Sequence, residues 1–142
     1  MEPLEVPGSL DSLQTIAQYV VSAATEAGLE NNRSHKLRLA VDEIATNIIT
    51  HGYNEVGLEG NIYLEATIDS ESITIVLEDT GITYDPTTRE NFTAETKRKL
   101  LEKENPGGWG MYLVIEGVDE FKYKRVGDRN RNILIVNRIT TE

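Results

Sequence analysis

The sequence contains no cysteine, which excludes disulfides, thiol nucleophiles and zinc sites of the cysteine type. Its two histidines, His35 and His51, are too few for a histidine-based metal cluster. Any metal is therefore expected to be a hard ion such as Mg²⁺ on oxygen ligands. No run of about 18 apolar residues occurs. Met1-Glu2-Pro3-Leu4-Glu5 has neither the basic start nor the apolar stretch of a secretory leader, so a cytoplasmic protein without membrane contact is expected. Basic charge is scarce too: 14 Lys and Arg against 24 Asp and Glu give a net charge of −10, which argues against direct nucleic-acid binding. The scarcity is uneven. No Lys or Arg lies between Arg38 and Arg89, whereas Arg89, Lys97, Arg98, Lys99 and Lys103 cluster beyond it. An anion held by the middle of the chain must be neutralised from elsewhere.

What is present suits one domain spanning 1–142, because 142 residues with 39% apolar content suffice to close a single core. Leu13, Ile16, Ala17, Val20, Ala24 and Ala27 recur at helical spacing from Leu10, with Ser9 as N-cap and Gly28 as stop. Leu37, Val41, Ile44, Ala45, Ile48 and Ile49 repeat the pattern up to His51-Gly52. Ile62 to Ile68 and Ile73 to Leu77 alternate around Asp69-Ser70-Glu71-Ser72, a β-hairpin. Residues 80–108 lack apolar periodicity and carry at most a short helix near 93–103. A third helix from Gly110 and a closing hairpin around Gly127-Asp128-Arg129-Asn130 follow, and a weak strand near Leu4 to Pro7 precedes everything. Hairpins alternating with helices predict an α+β two-layer α/β sandwich, with a mainly antiparallel mixed sheet covered on one face by helices.

Three fragments stand out. Glu43, Asn47 and His51 are spaced by four, so they form one stripe flanking the apolar face of the second helix. Such a stripe is either a solvated polar edge or a set of oxygen and nitrogen ligands facing a cleft. Asp79 follows a strand, with Gly81 two residues later. It is either an ordinary Asp-x-Gly turn or a strand-end carboxylate beside a glycine that admits a flat ligand. Pro106-Gly107-Gly108-Trp109-Gly110 precedes the third helix, where free N–H groups favour phosphate. It is neither a P-loop nor a dinucleotide fingerprint, and a plain glycine-rich loop is the alternative.

In this order the fragments resemble the GHKL (Bergerat-fold) ATPases. The segment from Glu43 to Tyr53 is similar to their N box, Asp79-x-Gly81 to their G1 box and Gly107-Gly108-Trp109-Gly110-Met111 to their G2 box. The ending His51-Gly52-Tyr53 resembles the anti-sigma-factor serine/threonine kinases of the RsbW type. The resemblance implies Glu43 as general base, Asn47 as Mg²⁺ ligand and Asp79 as acceptor for the adenine amino group, with Gly81 letting the base pack close. It implies ATP and Mg²⁺ as cofactors. His51, Arg89, Gly107, Gly108, Trp109, Gly110 and Met111 would complete the nucleotide site, beneath an ATP lid of about 87–106. The last hairpin lacks the hydroxyl residue that the family often places near the adenine, and Tyr84 replaces a common Phe.

The function implied is an ATP-dependent kinase that phosphorylates a Ser or Thr of a small anti-sigma-factor antagonist and sequesters a sigma factor by partner switching, as a homodimer. The alternative is a nucleotide-gated protein-binding module with little or no kinase activity, which would not need the carboxylate of Glu43. The catalytic half of a sensor histidine kinase would need a phosphoacceptor helix, and before the N box only His35 offers an imidazole.

Overall fold

A computed structural model describes residues 1–86 and 110–138. Strand β1 (Leu4–Pro7) leads through a 3-10 turn, Leu10–Ser12, into helices α1 (Leu13–Glu26) and α2 (Asn31–Asn47). The hairpin of β2 (Asn61–Ile68) and β3 (Ser72–Asp79) follows, and then α3 (Gly110–Gly117), β4 (Glu120–Val126) and β5 (Arg129–Asn137). The strands form one sheet in the order β1-β2-β3-β5-β4. Every pairing among the described residues is antiparallel, so the parallel pair of a mixed sheet is not found there. The reason is local: β2–β3 and β4–β5 are hairpins, and β5 returns alongside β3 in the opposite direction.

The helix starts one turn later than the capping pattern predicts. Ser9 closes the 3-10 turn through its carbonyl, which accepts from Ser12 N at 2.9 Å, and its side chain makes no cap bond. The exit matches expectation. Gly28 adopts φ +80°, and Leu29 N donates to Ala24 O while Gly28 N donates to Thr25 O, the paired bonds of a glycine-terminated helix.

Alternation along the strands buries one face of the sheet beneath the helices, and α2 packs against both α1 and α3. Ile16, Val20, Leu37, Val41, Ile44 and Ile49 from the helical side meet Ile62, Leu64, Ile73, Ile75, Leu77 and Leu134 from the strands, each at most 1% exposed. Burying such side chains contributes about 1.5–3 kcal/mol apiece, which holds α2 rigidly over the sheet. No helix among the described residues is long and apolar enough to cross a membrane.

The end of α2 positions the site. From Ile48 to Tyr53 the helix widens into a π-helical turn. In such a turn the fifth residue, and not the fourth, follows beneath a given position. Tyr53 then locks the turn to the sheet. Its hydroxyl donates to Asn61 O at 2.7 Å and accepts from Thr80 N at 2.9 Å, and its ring is 1% exposed. Gly8 and Gly60 flank that ring so closely that a Cβ on either would stand 2.7 Å from it.

Candidate functional site

Where α2 and its π turn meet the ends of β3 and β5, a cleft with about 250 Å³ of empty space, its open mouth included, is lined by Asn47, Gly52, Asp79, Tyr84, Asn130 and Asn132 among others. Asn47 and Asp79, two of the expected residues, are thus brought together from a helix and a strand. The expected stripe is only partly realised. Gly52, five residues after Asn47, lines the cleft, and His51 does not. The π winding swings the imidazole aside, where Nδ1 pairs with Glu55 Oε1 at 2.8 Å and the ring stacks on Tyr84 at 5.0 Å. The spacing of four assumed unbroken α-helix, and this is where that assumption fails.

Glu43 lies one α-helical turn before Asn47, half-buried and outside the cleft lining. Burial pushes its carboxyl above the ordinary value, and the neighbouring negative charge of Asp42 adds to the rise. A carboxyl raised this way holds and releases a proton closer to neutrality than an exposed glutamate does.

Asp79 is 1% exposed, and burial raises its pKa, an effect opposed by hydrogen bonds from Asn130 and Gly81 and by the charge of Arg125. Both bonds fall on one oxygen: Oδ1 accepts from Gly81 N at 2.9 Å and from Asn130 Nδ2 at 3.0 Å. Oδ2 keeps its acceptor capacity for a ligand, as no described residue bonds to it. Gly81 serves the backbone. A Cβ there would stand 2.6 Å from Gly52 O, so its missing side chain lets the Asp79-x-Gly81 turn lie against the π turn.

The closing hairpin supplies residues that sequence reasoning did not select. Asn130, 1% exposed, donates to Asp79 Oδ1 and to Ile82 O at 2.8 Å and accepts from the Tyr123 hydroxyl. Arg125 Nη1 donates to Gly81 O at 3.0 Å. Asn132, 3% exposed and part of the cleft wall, has an Oδ1 that is buried without a hydrogen-bond partner. A buried amide oxygen left unpaired costs about 1–3 kcal/mol unless a ligand or water supplies a donor. Asn130 and Asn132 falling in the same period-two phase as the apolar Leu134 and Val136, and so on the inward face, was the signal available in the sequence.

The remaining expected residues are placed otherwise. Met111 is 1% exposed in the core and absent from the cleft lining, and Gly110 begins α3. Arg89, Gly107, Gly108 and Trp109, with the expected lid of 87–106, lie outside the described residues. No group of three or more carboxylates or histidines among the described residues could cage a metal. Asn47 lines the cleft, and its side-chain amide is the group there that would offer an oxygen to a Mg²⁺ ion held otherwise by phosphate oxygens.

Comparison with known proteins agrees with this architecture. Serine-protein kinase RsbW of Staphylococcus aureus, in strains MSSA476 and MRSA252, is 30% identical over 128 residues, covering 87% of this chain and 79% of the relative. The histidine kinase domain of a blue-light activated histidine kinase from Erythrobacter litoralis matches in fold with a TM-score of 0.53 at 17% identity, over 90% of this chain and 60% of that one. Residues 6–137 match the model of the histidine kinase-like ATPase domain, a span that includes every element from the cleft to the closing hairpin, and the chain belongs to that family.

Proposed function

We propose that the protein is a cytoplasmic, ATP-dependent serine/threonine kinase of the anti-sigma-factor type. It would transfer the γ-phosphate of ATP to a Ser or Thr hydroxyl of a small antagonist protein and sequester a sigma factor or similar regulator. The observation that carries this reading is a single cleft lined by Asn47, Asp79 and Asn132, the last with a buried unpaired oxygen, in a chain 30% identical to a serine-protein kinase. Asp79 Oδ2 is the acceptor for the adenine amino group, and Asn132 provides a second polar contact where the family's hydroxyl is missing. Asn47 holds Mg²⁺, which when bound neutralises phosphate charge that no Lys or Arg between 38 and 89 can meet. Glu43 orients and deprotonates the attacking hydroxyl. Gly107, Gly108 and Gly110 would wrap the phosphates, and Arg89, Lys97, Arg98 and Lys99 would close over them.

The direct test is recovery of binding partners in Mg-ATP and in Mg-ADP, followed by phosphosite mapping. The kinase reading expects a small protein phosphorylated on Ser or Thr only when ATP is present. Nucleotide binding without transfer to any recovered partner would overturn it in favour of a nucleotide-gated binding module. The place of Glu43 outside the cleft lining is the observation that favours this second reading.

A further inference from the structure

The far end of β4 turns polar side chains toward the segment that follows Asp79. Tyr123 and Arg125 stand in register with Asn132 and Asn130 of β5, so all four lie on the inward face of the sheet. Residues Gly81 to Tyr84 form neither helix nor strand, and these side chains hold their backbone. Arg125 Nη1 donates to Gly81 O at 3.0 Å, Asn130 Nδ2 donates to Ile82 O at 2.8 Å, and the Tyr84 N–H donates to the Tyr123 hydroxyl. That hydroxyl in turn donates to Asn130 Oδ1. Tyr123 does not line the cleft, whereas Tyr84, Asn130 and Asp79 do.

The Asn130 amide is fully committed. Its nitrogen donates to Asp79 Oδ1 at 3.0 Å and to Ile82 O, and its oxygen accepts from Tyr123. Both amide hydrogens and the amide oxygen thus face partners of the right kind. Without the Tyr123 hydroxyl, the oxygen of a residue 1% exposed would lose the donor that the described residues give it, and the Tyr84 N–H would lose its acceptor. A buried carbonyl in that state gains by turning toward water or another donor, and the turn takes the amide nitrogen off Asp79. Asp79 Oδ1 would then keep the Gly81 bond alone, and a carboxylate held by one donor instead of two no longer points Oδ2 in a single direction.

We infer that Tyr123 is a positioning residue for base selection: its hydroxyl, shared between Tyr84 N and Asn130 Oδ1, fixes the Asn130 amide and through it the aim of the Asp79 carboxylate. The inference rests on the reading of Asp79 as acceptor for the adenine amino group. Hydrogen bonds from Tyr84 N–H to Tyr123, from Tyr123 to Asn130 and from Asn130 to Asp79 form one chain. It joins the cleft wall made by Tyr84, whose ring stacks on His51 at 5.0 Å, to the group that reads the base. Bonds in such chains strengthen one another, so loss of an outer link is felt at the inner one. If only the ring of Tyr123 mattered, Phe would serve as well.

Calorimetric titration of the full chain with Mg-ATP and with the Mg complex of purine riboside triphosphate, which lacks the 6-amino group, separates these cases. Wild type is expected to bind ATP about tenfold or more tightly than the analogue. In Tyr123→Phe, ATP affinity should fall about fivefold while analogue affinity stays within about twofold, so the preference shrinks. Asp79→Asn should abolish the preference, and adding Tyr123→Phe to it should change ATP affinity by less than about twofold, because both act through one bond. Equal losses for the two nucleotides, or an unchanged preference, would overturn the inference, as would full additivity in the double variant. A wild type without preference would refute the reading of Asp79 itself, and the inference would fall with it. Exchange of the Tyr84 amide hydrogen in wild type is a check that needs no variant. Saturating ATP should slow it about threefold more than the saturating analogue does, and equal protection would overturn the inference.

Discussion

Replacing Asp79 by Asn separates the role of this carboxylate in the fold from its proposed role in reading the base. The amide keeps an oxygen where Gly81 N and Asn130 Nδ2 donate, at 2.9 and 3.0 Å, so both bonds survive as neutral ones. Each weakens by roughly 1 kcal/mol, and the cost of burying a charge disappears, so the net stability change should stay within about 1–2 kcal/mol. The other end of the side chain changes from acceptor to donor. A bond from the adenine amino group to a carboxylate, worth about 1.5–3 kcal/mol, is replaced by two facing donors, so Mg-ATP affinity should fall at least ~100-fold. Burial raises the Asp79 pKa above 3.8 in the folded state, so the stability it contributes is fully present below 3.8 and is lost as pH rises through the folded value. The Asp79→Asn variant loses this dependence and should gain on wild type as pH rises from acid toward neutrality. Calorimetric titration with Mg-ATP and parallel urea unfolding at several pH values measure both quantities. Affinity within about threefold of wild type would refute base recognition by Asp79, and a stability loss above ~3 kcal/mol would refute the fold argument.

Other consequences can be measured in the same way. Glu43→Gln should leave Mg-ATP affinity within a few-fold and abolish phosphotransfer to the recovered partner. Because the Glu43 pKa is raised above 4.5, the variant should also be slightly more stable than wild type at neutral pH, and retained transfer in a gel assay would exclude the base role. Tyr53→Phe leaves Thr80 N and Asn61 O without their partner and should cost about 2–4 kcal/mol in urea unfolding; a loss under ~1 kcal/mol would mean the hydroxyl is dispensable. Gly81→Ala drives a Cβ to 2.6 Å from Gly52 O, so about 1–3 kcal/mol of stability should be lost together with nucleotide affinity, and wild-type melting would contradict the close packing. Asn132→Leu removes the unpaired buried oxygen, so the protein without nucleotide should become no less stable while ATP binds about tenfold more weakly; unaltered binding would remove Asn132 from the site.

Periodicity and turn chemistry are local properties, which is why the helices, both hairpins and the exit at Gly28 could be read from residues alone. The place of Asp79 at a strand end beside a glycine could be read in the same way, whereas a role for it in a site came only from the resemblance. Absence was informative too. The gap in basic residues from 39 to 88 means that an anion held by this segment would have to be neutralised by groups outside it.

Other features depend on what touches what across the fold. The π winding at Ile48–Tyr53 placed Gly52 in the cleft and turned His51 toward Tyr84, because Tyr53 is held between Gly8 and Gly60 and bonded to Asn61 and Thr80. Asn130 and Asn132, at the polar start of β5, became part of the wall of the cleft only because β5 lies beside β3 in a register that sets Asn130 opposite Asp79. No spacing within one segment encodes such a register. It follows from pairing one edge of the closing hairpin with a strand far away in the chain, so the sequence could supply Asp79 while only the folded sheet could decide which residues hold its oxygen in place.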